Sequence, residues 1–316
     1  MKTKQKIYTL SLILLLLLFL YLALGLNPVI WRYALSLRIP KTIALLLVAA
    51  SIAFSSAVFQ TLTNNRILTP SVLGLDSLYM LIQSFIVFVF GSGTLARLGE
   101  NFNFIVSVAF MVGFSLLLFR LLFKGEERNI FFLLLVGLVM GTFFQSLSTF
   151  MQVLIDPNEF LVIQNRMFAS FNNMNTDILW LALLISFLAV LFALKDLRTL
   201  DVLSLGRENA INLGVNYDYM VKKFLIIISI LISVSTALVG PITFLGLLVV
   251  NLAREILKTY KHNYLITGAI LIGSIALTFG QLMAERIMNF STPISIIINF
   301  IGGLYFIYLL LKESKI

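Results

Sequence analysis

Apolar runs of roughly membrane-spanning length, broken by short polar or Gly/Pro-containing stretches, recur along the whole chain. Ten are distinguishable, at about 7 to 26, 41 to 62, 73 to 91, 103 to 123, 130 to 154, 177 to 195, 220 to 239, 244 to 257, 264 to 284 and 294 to 311. The hydrocarbon core asks for about 20 apolar residues per helix, so the pattern predicts an all-α, polytopic membrane protein of about ten transmembrane helices. The eighth run is short and the fifth long, which implies tilt or a broken helix rather than a different count.

Composition removes the alternatives. With 60% hydrophobic and only 12% charged residues among 316, and a mean hydropathy of +1.02, a water-soluble fold could not hide its apolar surface. A disordered chain would need low hydrophobicity and high charge. A disulfide scaffold would need cysteines, and there are none, so no redox compartment is implied either. The net charge of +9 does not mark a nucleic-acid binder, because the cations punctuate apolar runs instead of clustering beside aromatics on a polar face.

The first run imitates a signal peptide, with Lys2, Lys4 and Lys6 ahead of it and Ala23-Leu24-Gly25 as a small-x-small site. Its apolar stretch exceeds the usual h-region of about 7 to 15 residues, so an uncleaved first span is expected. With the N-terminus placed inside, seventeen of the 23 Lys and Arg residues fall in inner loops. Both termini are therefore expected in the cytoplasm. The six exceptions are Arg32, Arg38, Lys41, Arg97, Arg166 and Arg286, three of them crowded into one outer loop.

That loop carries Arg38-Ile39-Pro40-Lys41. Pro40 disfavours helix at Ile39 and suits the first turn of the next helix, so the two cations are expected to flank a helix start. Positive charge there opposes the macrodipole and calls for a compensating partner. Snorkelling of both side chains and docking of an acidic partner both fit. The second span ends in Gln60-Thr61-Leu62-Thr63-Asn64-Asn65-Arg66 and restarts through Thr69-Pro70 and Leu73-Gly74. Backbone interrupted in this way must be satisfied by protein or by a water-filled cavity, unless the loop lies at the membrane surface.

Between the sixth and seventh spans lies the longest polar stretch, 201 to 214, punctuated by Gly206 and Gly214. The segment 207 to 213 is expected to form a short helix with Ala210, Ile211 and Leu213 on its apolar side. Such a helix either lies on the bilayer or serves as a knob for a soluble partner's groove. Gly240-Pro241 interrupts a helix within the apolar zone, and Gly246 permits close approach of helices. Gly137 and Gly141 form a GxxxG, which more often reports helix packing than dimerisation.

Chemistry is sparse. The chain has no phosphate loop, no cysteine and one histidine, His262, expected to be solvated and not a metal ligand; no Ser/His/Asp arrangement is expected. For intramembrane ion coupling the candidates reduce to Glu285, beside Arg286, and Asp76 near a span end. A proton-coupled secondary transporter would need one of these to titrate. An integral-membrane enzyme lacks convergent catalytic groups, and a basic surface scaffold leaves the Gly-punctuated inner segment unexplained.

Taken in order, these segments resemble the FecCD-type permeases of binding-protein-dependent ABC importers, which include the vitamin B12 and iron-siderophore permeases. The family's Arg-Leu-Pro-Arg appears as Arg38-Ile39-Pro40-Lys41. Its Gln-x-x-x-x-Asn-Pro-Leu-Ala-x-Pro-x-x-Leu-Gly appears as Gln60, Asn65, Pro70, Leu73 and Gly74. Its Leu-Gly-x-x-x-Ala-x-x-Leu-Gly is carried by Leu205, Gly206, Ala210, Leu213 and Gly214, and its Gly-Pro-Ile-x-Phe-x-Gly-Leu by Gly240 to Leu247, with Leu252-Ala253-Arg254 behind it. Departures are Arg66 for a Pro, Val250-Asn251 for Pro-His, Leu304 after Gly302-Gly303, and Ser291-Thr292-Pro293 for Glu-Leu-Pro. They point to a divergent branch similar to the permease pairs that serve catecholate-type siderophores.

The resemblance implies one transmembrane permease domain over 1–316, in the cytoplasmic (inner) membrane, without catalytic residues, metal or cofactor of its own. Its partners would be two ABC ATPase subunits that use ATP, an extracytoplasmic substrate-binding protein, a second permease subunit and an iron-siderophore substrate, moved by alternating access. Acidic lobes of the binding protein would meet Arg38, Lys41 and Arg286. The segment at about 200–216, with Leu205, Gly206, Arg207, Ala210, Leu213 and Gly214, matches the coupling helix that enters an ATPase groove; Arg207 stands where a Glu is common, which bears on partner specificity. The expected path walls are the second span near Gln60 and Asn65 and the fifth near Gln145, Ser146 and Ser148.

Overall fold

The computed structural model describes residues 3–25, 29, 31–91, 93, 99–122, 130–172, 174–290 and 292–313. Lys2, Arg97, Lys124, Arg128, Ser291 and Lys315, which entered the loop and motif readings, lie outside them.

Thirteen α-helices are described: α1 Thr3–Ala23, α2 Trp31–Leu62, α3 Leu75–Phe90, α4 Glu100–Leu122, α5 Ile130–Leu154, α6 Pro157–Met167, α7 Thr176–Leu194, α8 Leu197–Leu203, α9 Arg207–Asn212, α10 Tyr217–Val239, α11 Leu245–Leu257, α12 His262–Arg286 and α13 Ile294–Glu313. Eight are long and apolar enough to cross a membrane by length and composition. The apolar 16-residue α3 and the 13-residue α11 are too short to be counted with them, although with these two each of the ten apolar runs has its helix; the protein is a multi-pass membrane protein.

Local chemistry sets the helix ends. Asp156 accepts from Asn158 N ahead of Pro157, Asn175 from Asp177 N, and Asn216 from Tyr219 N, each supplying an orphan N–H with an acceptor. The expected helix start at Pro40 is not there, because α2 runs from Trp31 straight through Pro40 to Leu62. Packed helices tolerate an internal proline where neighbours satisfy the freed groups.

Small residues decide who packs closest. Ala44, Ala49, Ala53 and Ala57 of α2 are fully buried, and Gly246 of α11 lies so near that a Cβ there would stand 1.9 Å from Ser56 Oγ. The GxxxG of α5 is spent inside the chain: a Cβ on Gly137 would meet Val72 O at 2.8 Å, and one on Gly141 would meet Gly74 Cα at 3.1 Å. That contact seats the 3-10 turn Pro70–Leu73, after which Gly74 takes φ +77°. In contrast, α1, α4, α5, α7 and α13 carry rows of exposed Leu, Phe and Val, as lipid-facing helices do.

One end of the bundle gathers both chain ends and the α8–α9 segment. Lys6 Nζ donates to Ile256 O at 2.6 Å, Tyr305 of α13 lies within electrostatic reach of Glu255, and Asp201 of α8 accepts from His262 N at 2.8 Å. The opposite end holds the start of α2, the end of α12 and the short α6.

Candidate coupling surface and translocation path

The α8–α9 segment is a mounted structure. Gly206 at φ +91° and Gly214 at φ +82° let the chain turn sharply on either side of α9, a conformation that only Gly adopts without strain. Asp196 pairs with Lys223 of α10, and Arg207 stands 3.8 Å from Asp218. Asp201 Oδ1 also faces His262 Nδ1 at 2.6 Å, while His262 Nε2 lies 2.8 Å from Thr61 Oγ1 of α2. The single histidine is therefore buried, at 4% exposure, and not solvated as expected from its place in a basic loop.

Thr61, His262 and Asp201 stand in the hydroxyl–imidazole–carboxylate order that the residue inventory was not expected to provide. The Thr61 hydroxyl is buried within α2 and sits 2.8 Å from Ala57 O. The trio ties α2, α12 and α8 together; it is a strut between the inner segment and the end of α2.

On α9 the apolar residues divide. Ala210 is fully buried against its own chain, whereas Ile211 and Leu213, with Leu205 beside them, are 49%, 62% and 54% exposed. The expected single apolar side is thus split: the smallest residue anchors the helix and the three large ones stand outward at this end of the bundle. Arg207 is exposed.

Above the strut, Gln60 and Asn65 line a cavity of about 460 Å³ with Asn64, Arg66, Arg254 and Lys258. Asn65 N donates to Gln60 O, Asn65 Oδ1 accepts from Ile67 N, and Asn251 Nδ2 donates to Arg66 O at 3.0 Å. Protein groups thus satisfy the backbone that the sequence left open after Leu62.

The α5 residues expected in the path do not share one surface. Ser148 is fully buried, with its hydroxyl 2.8 Å from Ser84 Oγ of α3 and from Gln152 Nε2. Gln145 and Ser146 are exposed, and with Thr142 and Thr149 they form a polar stripe at i, i+3, i+4 and i+7. Phe143 and Phe150 flank it at 52% and 62% exposure. Thr142, Ser146 and Thr149 return their hydroxyls to carbonyls four residues back, which leaves the Gln145 amide as the most polar group of that face.

At the opposite end, Arg38 Nη1 lies 2.8 Å from both Leu22 O and Leu24 O and 3.3 Å from Tyr21 O, and Arg286 donates to Leu24 O as well. Two guanidiniums therefore cap the carbonyl end of α1, where positive charge is favourable. Because α2 begins at Trp31, Arg38 and Lys41 lie well inside it and oppose no helix N-terminus; the charge of Arg38 serves the end of α1 instead. Lys41 donates to Asn172 Oδ1 at 3.0 Å, stands 3.8 Å from Glu285 Oε1 and lies over the Phe290 ring. Glu285 takes its other partners from Tyr21 and Gln281, not from the adjacent Arg286. Asp76, the other coupling candidate, sits in the first turn of α3 and accepts from Thr236 Oγ1 at 3.0 Å and from Ser71.

Arg254, Lys258, His262 and Asp201 were missed as a group by sequence reasoning. The signal available was the recurrence of cations after α11, but nothing in it told which of them turn inward.

The structure is a multi-pass helical bundle with a mounted apolar knob at one end. The sequence matches the FecCD transport family over residues 6–312, so the chain belongs to that family and is a permease, not an enzyme. It is 62% identical to the petrobactin import system permease protein YclO of Bacillus subtilis (strain 168) over 90% of each chain. It is 35% identical to the petrobactin import system permease protein FatC of Bacillus anthracis, over 88% of this chain and 79% of that one. Its fold matches a solved inward-facing metal-chelate type ABC transporter with a TM-score of 0.85 at 23% identity, covering 98% of this chain and 100% of that chain.

Proposed function

We propose that this chain is half of the membrane pathway of an ABC importer for an iron-siderophore complex, with ferric petrobactin as the substrate. The observation that carries the reading is the outward-standing triad of Leu205, Ile211 and Leu213 on and beside α9, in the α8–α9 segment that is fixed to α10 and α12. Exposed leucines at a watery end of a membrane protein have a use only if something covers them. A separate ATPase whose groove takes this knob receives the role; Gly206, Arg207, Ala210 and Gly214 shape and hold it. The end that bears it, with both termini, is cytoplasmic. Petrobactin is the substrate that the two relatives are named for, one of them 62% identical.

ATP binding in the partner closes the ATPase pair, pulls the knob, and through Asp201, His262 and Thr61 moves the end of α2 beside Gln60. Alternating access then opens a path between this chain and a second permease subunit. The Gln145–Ser146 stripe supports that placement, since polar side chains on an exposed face of a spanning helix belong against water or another subunit rather than lipid. Ser148 contributes by fixing α5 to α3.

Lys41 and Arg286 face an extracytoplasmic binding protein, with Arg38 behind them. Such rim pairs are worth about 0–1 kcal/mol each, so they steer and register docking rather than supply its affinity.

The test is uptake of ⁵⁵Fe-labelled ferric petrobactin by cells with and without this chain. Uptake should require the chain and stop on ATP depletion. Uptake that survives ATP depletion but collapses with the proton gradient would overturn the reading in favour of a secondary transporter.

A further inference from the structure

The cavity at the end of α2 is electrostatically one-sided. Arg66, Arg254 and Lys258 line it together with the amides of Gln60, Asn64 and Asn65 and the Tyr260 ring, and no carboxylate belongs to its lining. His262 and Thr61 are already engaged with each other. The Arg66 and Arg254 guanidiniums are close enough to repel.

Two further groups are unfinished. Gln60 is 98% buried, and neither its amide oxygen nor its amide nitrogen has a partner; Arg254 Nε is buried without one as well. Leaving a buried donor unpaired is costly, more so for a charged group, and neighbouring like charges add to it. An oxyanion in the cavity would pair the N–H donors of Gln60 and Arg254 and offset the repulsion between the two guanidiniums, leaving the Gln60 amide oxygen, an acceptor, as the one unfinished atom of the three. A volume of about 460 Å³ lies in the range of about 300–1,000 Å³ typical of small-molecule sites, larger than a lone phosphate needs.

We infer that this cavity is an anion-binding vestibule that receives the iron chelate, through its carboxylate or phenolate oxygens, as the chelate leaves the path. The inference rests on the import reading above. Arg254 and Gln60 meet the anion from the buried wall, and Arg66 and Lys258, both exposed, meet it from the mouth. The walls come from the ends of α2 and α11, the start of α12 and the loops that follow α2, α8 and α11, all on the buried helices of the bundle, so a free chelate is favoured over a lipid headgroup, which would have to leave the bilayer. An exit site must also release its ligand, and exposed cations at the mouth, screened by cytoplasmic salt, bind weakly enough to allow that.

The experiment uses the whole transporter, assembled with its second permease and ATPases in nanodiscs. The chain has no native cysteine, so Tyr260→Cys, at a 77% exposed position on the cavity, takes one fluorophore on this subunit once any cysteines of the partner subunits are removed. Titration with ferric citrate, an anionic carboxylate chelate, should give a saturable signal that weakens at high salt. The double variant Arg66→Gln/Arg254→Gln should raise its Kd at least tenfold with subunit assembly unchanged, and Arg254→Lys should restore part of the affinity.

Equal binding in the double variant would overturn the proposal. So would a chelate signal present in phosphatidylcholine nanodiscs but abolished by phosphatidylglycerol, which would make the occupant a lipid headgroup. Inorganic phosphate saturating the site without displacement by ferric citrate would overturn it too. Ferric petrobactin uptake by the wild-type assembly is measured separately; its absence, with citrate binding intact, would sink the import reading and leave the anion site standing.

Discussion

Replacing Leu205, Ile211 and Leu213 together by Ala removes the apolar surface that α9 presents, while Ala210, the buried anchor, is left in place. The three side chains are 54%, 49% and 62% exposed. Full burial of a Leu or Ile side chain is worth about 1.5–3 kcal/mol, so covering the exposed half of each yields about 1 kcal/mol, and the three together about 3 kcal/mol. At tenfold per 1.4 kcal/mol this is about a hundredfold in affinity for the ATPase. The assay is titration of the detergent-solubilised permease with the purified ATPase, with thermal unfolding of the permease as the control. Because the triad contributes little to the chain's own core, its melting temperature should stay where it was. An affinity within threefold of the original would refute the argument, since it would mean that the exposed triad is not what the motor grips. Ala210→Trp should differ in its control, unseating α9 from within and lowering both stability and affinity.

Three other outcomes follow from the same geometry. Gly137→Ala drives a Cβ to 2.8 Å from the Val72 carbonyl and should cost about 1–3 kcal/mol, read as earlier thermal unfolding, whereas Gly303→Ala, with open space around it, should be neutral. Gln145→Cys and Ser146→Cys should react with a membrane-impermeant thiol reagent in the assembled transporter, while Phe143→Cys and Phe150→Cys should stay protected; the reverse pattern would put the stripe against lipid. Arg38→Gln should increase hydrogen exchange at Leu22 to Leu24, because it removes charge-assisted bonds worth about 1.5–3 kcal/mol; unchanged exchange would mean that the α1 cap does not depend on Arg38.

The spanning helices were legible because the hydrocarbon core imposes a length that a sequence must meet in one contiguous run, as eight helices do, and α5 falls at 130–154 as the apolar pattern predicts. The inner segment was legible for a similar reason: Gly206 and Gly214 bracket a stretch too polar to enter the bilayer, so a turn–helix–turn was the only local solution. Pro40 misled, because a proline is read locally as a helix start while α2 is held together by what packs around it. His262 misled for the same reason, since one residue in a basic loop carries no sign of Asp201 sixty-one positions earlier.

Sequence alone therefore determined the membrane class, the ends of most helices and the family, all of them properties written in runs of neighbouring residues. Tertiary structure decided which charges are spent and which are free. Arg38 closes α1, Lys41 meets Glu285, and Arg254 with Gln60 faces a cavity unpaired. A long-range electrostatic partner is a matter of distance in space, and residues from 14 positions apart, as Arg38 and Leu24, to 244, as Lys41 and Glu285, leave no periodic trace of meeting.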